Sequence, residues 1–189
     1  MSTSPAPSAP VPPAILVTGR LRLRRLVPED AAFLVELLND PAFLANIGDR
    51  GVRTPADAVA YVEKGPGASY ARHGFGLYRV ELAATGTPIG LCGLVKRDTL
   101  PDVDVGFAFL PAFRSQGYAL EAARAVLDEA HDRVGLARLV AIVKPGNVAS
   151  ARLLLKLGMR LEGRIRLPHD PDELELYAIE FHAPEAPGR

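Results

Sequence analysis

The residues Arg114-Ser115-Gln116-Gly117-Tyr118-Ala119 lie between an apolar run, Val103 to Leu110, and an amphipathic stretch, Ala119 to Val134. Gly117 accepts backbone angles that a side chain forbids, and Ala119 keeps the turn thin. The unpaired N–H groups of the first helical turn then point out of the loop together. Such a nest binds phosphate. An ordinary strand-to-helix connection that happens to contain glycine reads the same over this short span, so the surrounding chain has to decide.

Few other residues offer competing chemistry. Cys92 is the one cysteine, which excludes an internal disulfide, and its setting in Pro88-Ile89-Gly90-Leu91-Cys92-Gly93-Leu94-Val95 favours a small buried side chain over a catalytic thiol. The histidines are scattered without metal-ligand spacing, so no metal is expected. Lys and Arg total 22 and Asp and Glu 22, with no long block of like charge, so no nucleic-acid partner is required. No apolar run is long enough to span a bilayer, and no membrane partner is expected. Residues 1–13 are Pro/Ala/Ser-rich without a basic start or an apolar core. They read as a disordered tail and not a signal peptide, which makes the cytoplasm the expected compartment.

The elements that must position the loop follow from periodicity. Leu21 to Leu26 alternates as a strand, and Pro28 to Leu38 switches to helical spacing until Asn39-Asp40-Pro41 stops it. Thr54-Pro55-Ala56-Asp57 starts a second helix, with Thr54 as N-cap and Pro55 at the first position. It runs to about Lys64, where Gly65-Pro66-Gly67 is expected to break it. Phe75 to Ala83 and Pro88 to Arg97 read as strands joined by a hairpin turn, Ala84-Thr85-Gly86-Thr87. Val103 to Leu110 is a central strand, and Ala119 to Val134 carries one apolar helical face through Ala122, Ala123, Val126, Leu127 and Ala130. A short strand, Leu139 to Val143, precedes a helix over Asn147 to Leu157 closed by Gly158; two strands, Arg160 to Leu167 and Leu174 to Phe181, finish the fold. This is a single α+β domain over residues 14–183, with residues 184–189 a loose C-terminal tail. Its central sheet is mixed and mostly antiparallel, with about seven strands and four helices, and its one parallel pair sits where the glycine loop lies. Such a pair opens a cleft at the strand C-terminal ends.

Asp104-Val105-Gly106-Phe107, Arg114 to Ala119, Asn147-Val148-Ala149-Ser150 and Lys156-Leu157-Gly158-Met159 together resemble the GNAT acetyltransferases, and within them the RimJ/RimL-like protein N-terminal acetyltransferases. The likeness runs nearly end to end from Leu21 to Phe181. The loop fits the family's Q/R-x-x-G-x-G/A signature with Arg114 first and Ala119 last. The resemblance therefore implies that Arg114, Ser115, Gln116, Gly117, Tyr118 and Ala119 hold the pyrophosphate of acetyl-CoA. It implies that the fourth and fifth expected strands splay to form the CoA cleft, with the pantetheine arm pairing with backbone near Phe109 and Leu110. It places Asn147 and Ser150 beside that arm and the sulfur, although Asn147 also reads as a helix N-cap.

For catalysis, the resemblance implies a base at Asp104, where this branch commonly has Glu, and a proton donor at Ser150, because Leu154 stands where many family members have Tyr. Asp104 also reads as one half of a strand-end salt bridge, and Asp102, on the same strand face, is a rival base. The implied activity is an N-acetyltransferase moving acetyl from acetyl-CoA, as co-substrate, to a primary amine by direct attack in a ternary complex. The amine is a protein N-terminus or a small molecule. A non-catalytic acyl-CoA-binding protein is the alternative, and a dinucleotide-binding domain is disfavoured because the full G-x-G-x-x-G is missing. Asp49-Arg50-Gly51 and His169-Asp170 read either as acceptor contacts or as solvated loops. Arg152 and Lys156 read as a solvated face or as phosphate contacts, and Tyr177 as core. A homodimer through the last strands is implied by family analogy alone.

Overall fold

A computed structural model describes residues 12–168 and 172–181 of the chain. Residues 1–11 of the expected N-terminal tail, residues 184–189 of the expected C-terminal tail, and His169-Asp170 lie outside the described residues. The chain order is β1 (Ala14–Val17), β2 (Leu21–Arg25), α1 (Ala31–Leu38), α2 (Pro41–Asn46), α3 (Pro55–Val62), α4 (Ala68–His73), β3 (Leu77–Leu82), β4 (Pro88–Lys96), β5 (Val103–Phe109), α5 (Tyr118–Asp132), β6 (Arg138–Val143), α6 (Val148–Lys156), β7 (Arg160–Arg166) and β8 (Glu173–Glu180). The strands form one sheet in the order β1-β2-β3-β4-β5-β6-β8-β7. Every neighbouring pair is antiparallel except β5 and β6.

The α+β expectation holds, with three corrections. The eighth strand, β1, is four residues long and too short to carry its own alternation; pairing with β2 defines it, with Val17 opposite Arg22. At Asn39-Asp40-Pro41 the first helix does stop, but Asp40 restarts it: its carboxylate accepts from the N–H groups of Ala42 and Phe43 and caps α2. Gly65-Pro66-Gly67 does not end the third helix. Pro66 lacks the N–H that a regular turn needs, and the chain absorbs the loss in one wide turn over Glu63–Gly67 before continuing as α4. Gly67 passes so close to Val62 that a Cβ there would stand 2.9 Å from the Val62 oxygen. The glycine makes the bend sterically feasible.

Burial divides the molecule at the sheet. Leu91 and Cys92 are neighbours on β4 and so face opposite sides. Leu91 packs with Phe33, Leu34, Leu37 and Phe43 of α1 and α2 and with Ala58 and Val62 of α3. Cys92 packs with Ala122, Ala123, Val126 and Ala130 of α5 and Leu154 of α6. The second face of α5 therefore reaches the core through alanines, which let the helix lie close to β4 and β5 and bring its N-terminus down to the end of β5.

Charge is also buried between β2, β3 and the turn before α1. Arg24 donates to both oxygens of Asp30 at 2.7 and 2.9 Å and to Glu81 at 3.3 Å, while Arg79 reaches Asp30 at 2.5 Å. Burial alone would push the Asp30 carboxyl up, but the guanidinium groups of Arg24 and Arg79 and the Val27 N–H outweigh it and hold it below its ordinary value. This cluster anchors the α1–α2 arm to the sheet.

Candidate active site

The parallel strands β5 and β6 are registered at one pair only, Asp104 with Val140, and then separate. The hydrogen bonds of β5 explain what the gap exposes. Leu110 N–H donates to the Ile89 oxygen at 2.9 Å, and alternation then commits Ala108, Gly106 and Asp104 to β4 as well. The backbone groups of Phe107 and Phe109 point the other way, toward β6. A cavity of about 910 Å³ fills the gap, lined by Asp104 to Phe109 on one wall and Ala141 to Lys144 on the other.

The strand-edge expectation needs one correction. Leu110 offers nothing to a ligand: its N–H is bonded to Ile89, its oxygen accepts from Phe113 N–H at 3.0 Å, and its side chain is buried. The Phe109 oxygen is occupied by Arg114 Nε at 2.8 Å, which leaves the Phe109 N–H and both backbone groups of Phe107 on the open side.

At the wide end of the gap stands the loop. Gly117 has φ +84° and caps α5, and Ser115, with φ 60°, is the one non-glycine residue with positive φ among the described residues. Two left-handed residues flanking Gln116 turn successive N–H groups to one side, and the α5 N-terminus adds its positive field. Ser115, Gly117 and Ala119 line the cavity. The side chains of Arg114, Gln116 and Tyr118 are otherwise engaged. Arg114 bonds Asp40 as well as Phe109, so its guanidinium ties the loop to the α1–α2 turn. Burial would raise the Asp40 carboxyl, but Arg114 and the two capping N–H groups hold it below its ordinary value. Gln116 donates to the Ala112 oxygen at 2.7 Å. Tyr118 lies under Arg20, whose guanidinium carbon is 4.5 Å from the ring centre.

Arg20 and Asp40 are the supports that the motif did not reveal. Arg20 donates to the Gln116 oxygen at 3.1 Å and to Glu121 at 2.7 Å, while Thr18 reaches Glu121 at 2.6 Å. The β1–β2 turn therefore clamps the first turn of α5. Because β1 was not foreseen, neither was this clamp.

Asp104 sits at the apex of the gap, 1 % exposed, and Arg97 donates to both its oxygens at 3.0 and 3.3 Å. The salt-bridge reading and the cleft reading of this residue are thus both realised. Burial pushes its carboxyl above the ordinary value against the pull of Arg97. Asp102 is removed from the site: Arg138, at the start of β6, binds it at 3.1 Å. Continuing the β4–β5 register places Arg97 opposite Asp102, yet it pairs with the diagonal Asp104, a choice that sequence spacing does not reveal.

Asn147 caps α6, accepting from Ser150 N–H at 3.2 Å, and lines the cavity as well. Ser150 lines it too, and its hydroxyl makes no hydrogen bond among the described residues. Leu154 is fully buried at the cavity wall. Arg152 and Lys156 are exposed and line this end of the cavity, together with Lys144, which is paired with Asp172 at 2.8 Å. Tyr177 is core, as expected. Cys92 is fully buried on the α5 side of β4, and burial pushes its thiol far up, so it supplies no thiolate.

An acetyltransferase (GNAT) domain model matches residues 20–160, spanning the gap, the loop and α6. The chain belongs to the GNAT acetyltransferase family. This GNAT chain is 34% identical over 163 residues to the uncharacterized protein YkkB of Bacillus subtilis (strain 168), covering 82% of this chain and 91% of that protein. The GNAT acetyltransferase structure from Bacillus anthracis superposes with TM-score 0.71 at 28% identity, over 85% of this chain and 95% of that one. RimL, the ribosomal L7/L12 α-N-protein acetyltransferase, shares the fold with TM-score 0.77 at 17% identity, over 95% and 100% of the two chains. RimL has also been solved in complex with coenzyme A, with TM-score 0.67 at 18% identity over 89% and 98%. The GNAT chain is thus an acetyltransferase enzyme, and reading it as a non-catalytic binding protein finds no support. Among its described residues no helix is long and apolar enough to cross a membrane.

Proposed function

We propose that this enzyme transfers the acetyl group of acetyl-CoA to a primary amine by direct attack within a ternary complex. The observation that carries the reading is the shared cavity: the nest at Ser115 to Ala119, the open edge of β5 and the buried Asp104 line one continuous space. The nest suits the pyrophosphate, with Arg152 and Lys156 supplying further positive charge. The open edge at Phe107 and Phe109 suits the amide-bearing pantetheine arm, which pairs with it as an added strand. RimL in complex with coenzyme A supports the same donor.

In the reaction the amine nitrogen forms a bond to the thioester carbon and the carbon–sulfur bond breaks. An unpaired β5 N–H polarises the carbonyl as charge builds on its oxygen. Asp104, with its raised carboxyl, accepts the amine's proton through water. The departing thiolate leaves near the α6 N-terminus, where the helix field favours negative charge and the uncommitted Ser150 hydroxyl passes it a proton while taking one from solvent water. Cys92 takes no part, and no acetyl-enzyme forms.

The test is calorimetric titration with acetyl-CoA, followed by thiol release against a panel of primary amines. Saturable binding with amine-dependent release is the expected result. No binding, or binding without release across amino acids, peptides and polyamines, overturns it.

A further inference from the structure

The end of the cavity beyond Asp104 is walled by α2, the α2–α3 loop and α3, through Phe43, Ile47, Arg50 and Tyr61, and by Arg97 just after β4. Its charge is one-sided. Arg50 is exposed and makes no hydrogen bond or ion pair among the described residues. The loop is built to keep it so. Its neighbour Asp49 is drawn to Arg53 at 2.5 and 3.0 Å and accepts from Gly51 N–H at 2.8 Å, while Arg53 is itself held by Asn39 at 2.8 Å. Asp57, the other nearby acid, accepts from the N–H groups of Arg53 and Thr54.

The other acids that line the cavity among the described residues are paired with cations. Asp104 is paired with Arg97 and Asp172 with Lys144, at 3.0 and 2.8 Å. The Arg50 and Arg97 charges both act on the Tyr61 phenol and on Asp104. A shallow groove continues from this end past Arg50 and Tyr61 to Lys64. Among the described residues a polycationic amine entering here meets no uncompensated carboxylate, whereas a carboxylate meets Arg50 with its donors unspent.

Resting on the acetyl-transfer reading above, we infer that the acceptor is an amine whose molecule also carries a carboxylate, bound by Arg50. Two sources share that chemistry, a free α-amino acid and a peptide N-terminus with an acidic first residue. Arg50 is on this reading a specificity residue: it places the carboxylate while the amine turns toward Asp104.

The experiment compares kcat/KM, with saturating acetyl-CoA, for alanine against alaninamide, for a peptide amide beginning Asp-Ala against one beginning Asn-Ala, and for spermidine. Calorimetry with CoA runs alongside, in wild type, Arg50→Ala and Arg50→Lys. The wild type is expected to prefer the carboxylate member of one pair by about tenfold or more, as a charge-assisted hydrogen bond implies. The pair that shows the preference identifies the source. Arg50→Ala should bring the ratio toward one through KM, Arg50→Lys should recover part of it, and CoA affinity should not change. Equal use of both members of each pair, better use of spermidine, or an undiminished preference in Arg50→Ala overturns the inference while CoA binding stands. Failure of the wild type to bind CoA overturns the transferase reading and this one with it.

Discussion

Arg97 and Asp104 close the apex of the β5–β6 gap as an ion pair in which both carboxylate oxygens are engaged, at 3.0 and 3.3 Å. The pairing keeps a nearly fully buried acid at the cavity wall without removing its upward shift. That shift sets a direction for the pH profile. A carboxyl raised above its ordinary value of 3.8 gains base form only at higher pH, so the acid limb of kcat/KM should lie above 3.8. Replacing Arg97 by Met removes the charge that favours the carboxylate, and the limb should move further up. Asp104→Asn should lower kcat by about 10²-fold or more with the fold intact by circular dichroism. An unshifted limb in Arg97→Met would count against Asp104 as the base.

Gly117→Val should separate donor binding from folding. At φ +84° a side chain costs about 1–2 kcal/mol, and a Cβ would stand 3.3 Å from the Arg20 guanidinium. The loop should therefore give up its nest geometry while the core, which lies elsewhere, stays packed. CoA affinity should fall by about tenfold or more. Unchanged affinity by calorimetry removes the nest from the donor site.

The Thr18–Arg20–Glu121 clamp predicts that Glu121→Gln weakens CoA binding although it removes no positive charge. Both Glu121 oxygens are in use, and burial is overcome by Thr18 and Arg20, which hold its carboxyl below the ordinary value. The partners are partly exposed, so the change in Kd should be modest, about threefold to tenfold. A tighter complex in this variant, as expected if Glu121 merely repelled phosphate, is the opposing result.

Acid should unfold the protein through its lowered carboxyls. Asp30 and Asp40 are held below 3.8 in the folded state, so their stabilising contribution is complete above that value and is lost as pH falls through the folded one. Stability measured by urea titration should decline below about pH 4. Asp40→Ala should flatten part of that decline and cost about 1 kcal/mol at neutral pH through the lost α2 cap.

Cys92→Ala should leave acetyl transfer intact and cost about 1 kcal/mol of stability from the small cavity it opens in the core. Abolished turnover in a folded variant would overturn direct attack.

Much of the site was legible because its signals are local. Gly117 marks a left-handed turn by residue type, Asn147 marks a helix start, and the alternation on β5 places Asp104 on a strand. The supports were not legible, because each joins residues far apart in the chain: Arg20 with Glu121, Asp40 with Arg114, and Arg97 with Asp104 in preference to Asp102. Gly65-Pro66-Gly67 shows the same limit in the fold. Its residue types argue for an end to the helix, and only the packing of Val62, Pro66 and Tyr70 against their neighbours turns that end into a bend.

By itself the sequence determined the loop side of the cleft: a glycine loop after a central strand, a capped helix behind it and the order of elements that brings them together. These depend on backbone conformations that residue types set within a few positions. The tertiary structure alone decided which backbone groups of β5 remain open, which acid stands at the apex and which arginine at the far end of the cavity keeps its charge unspent. Those outcomes depend on strand register and on competition among distant partners for the same hydrogen bonds, and short-range sequence pattern does not encode such competition.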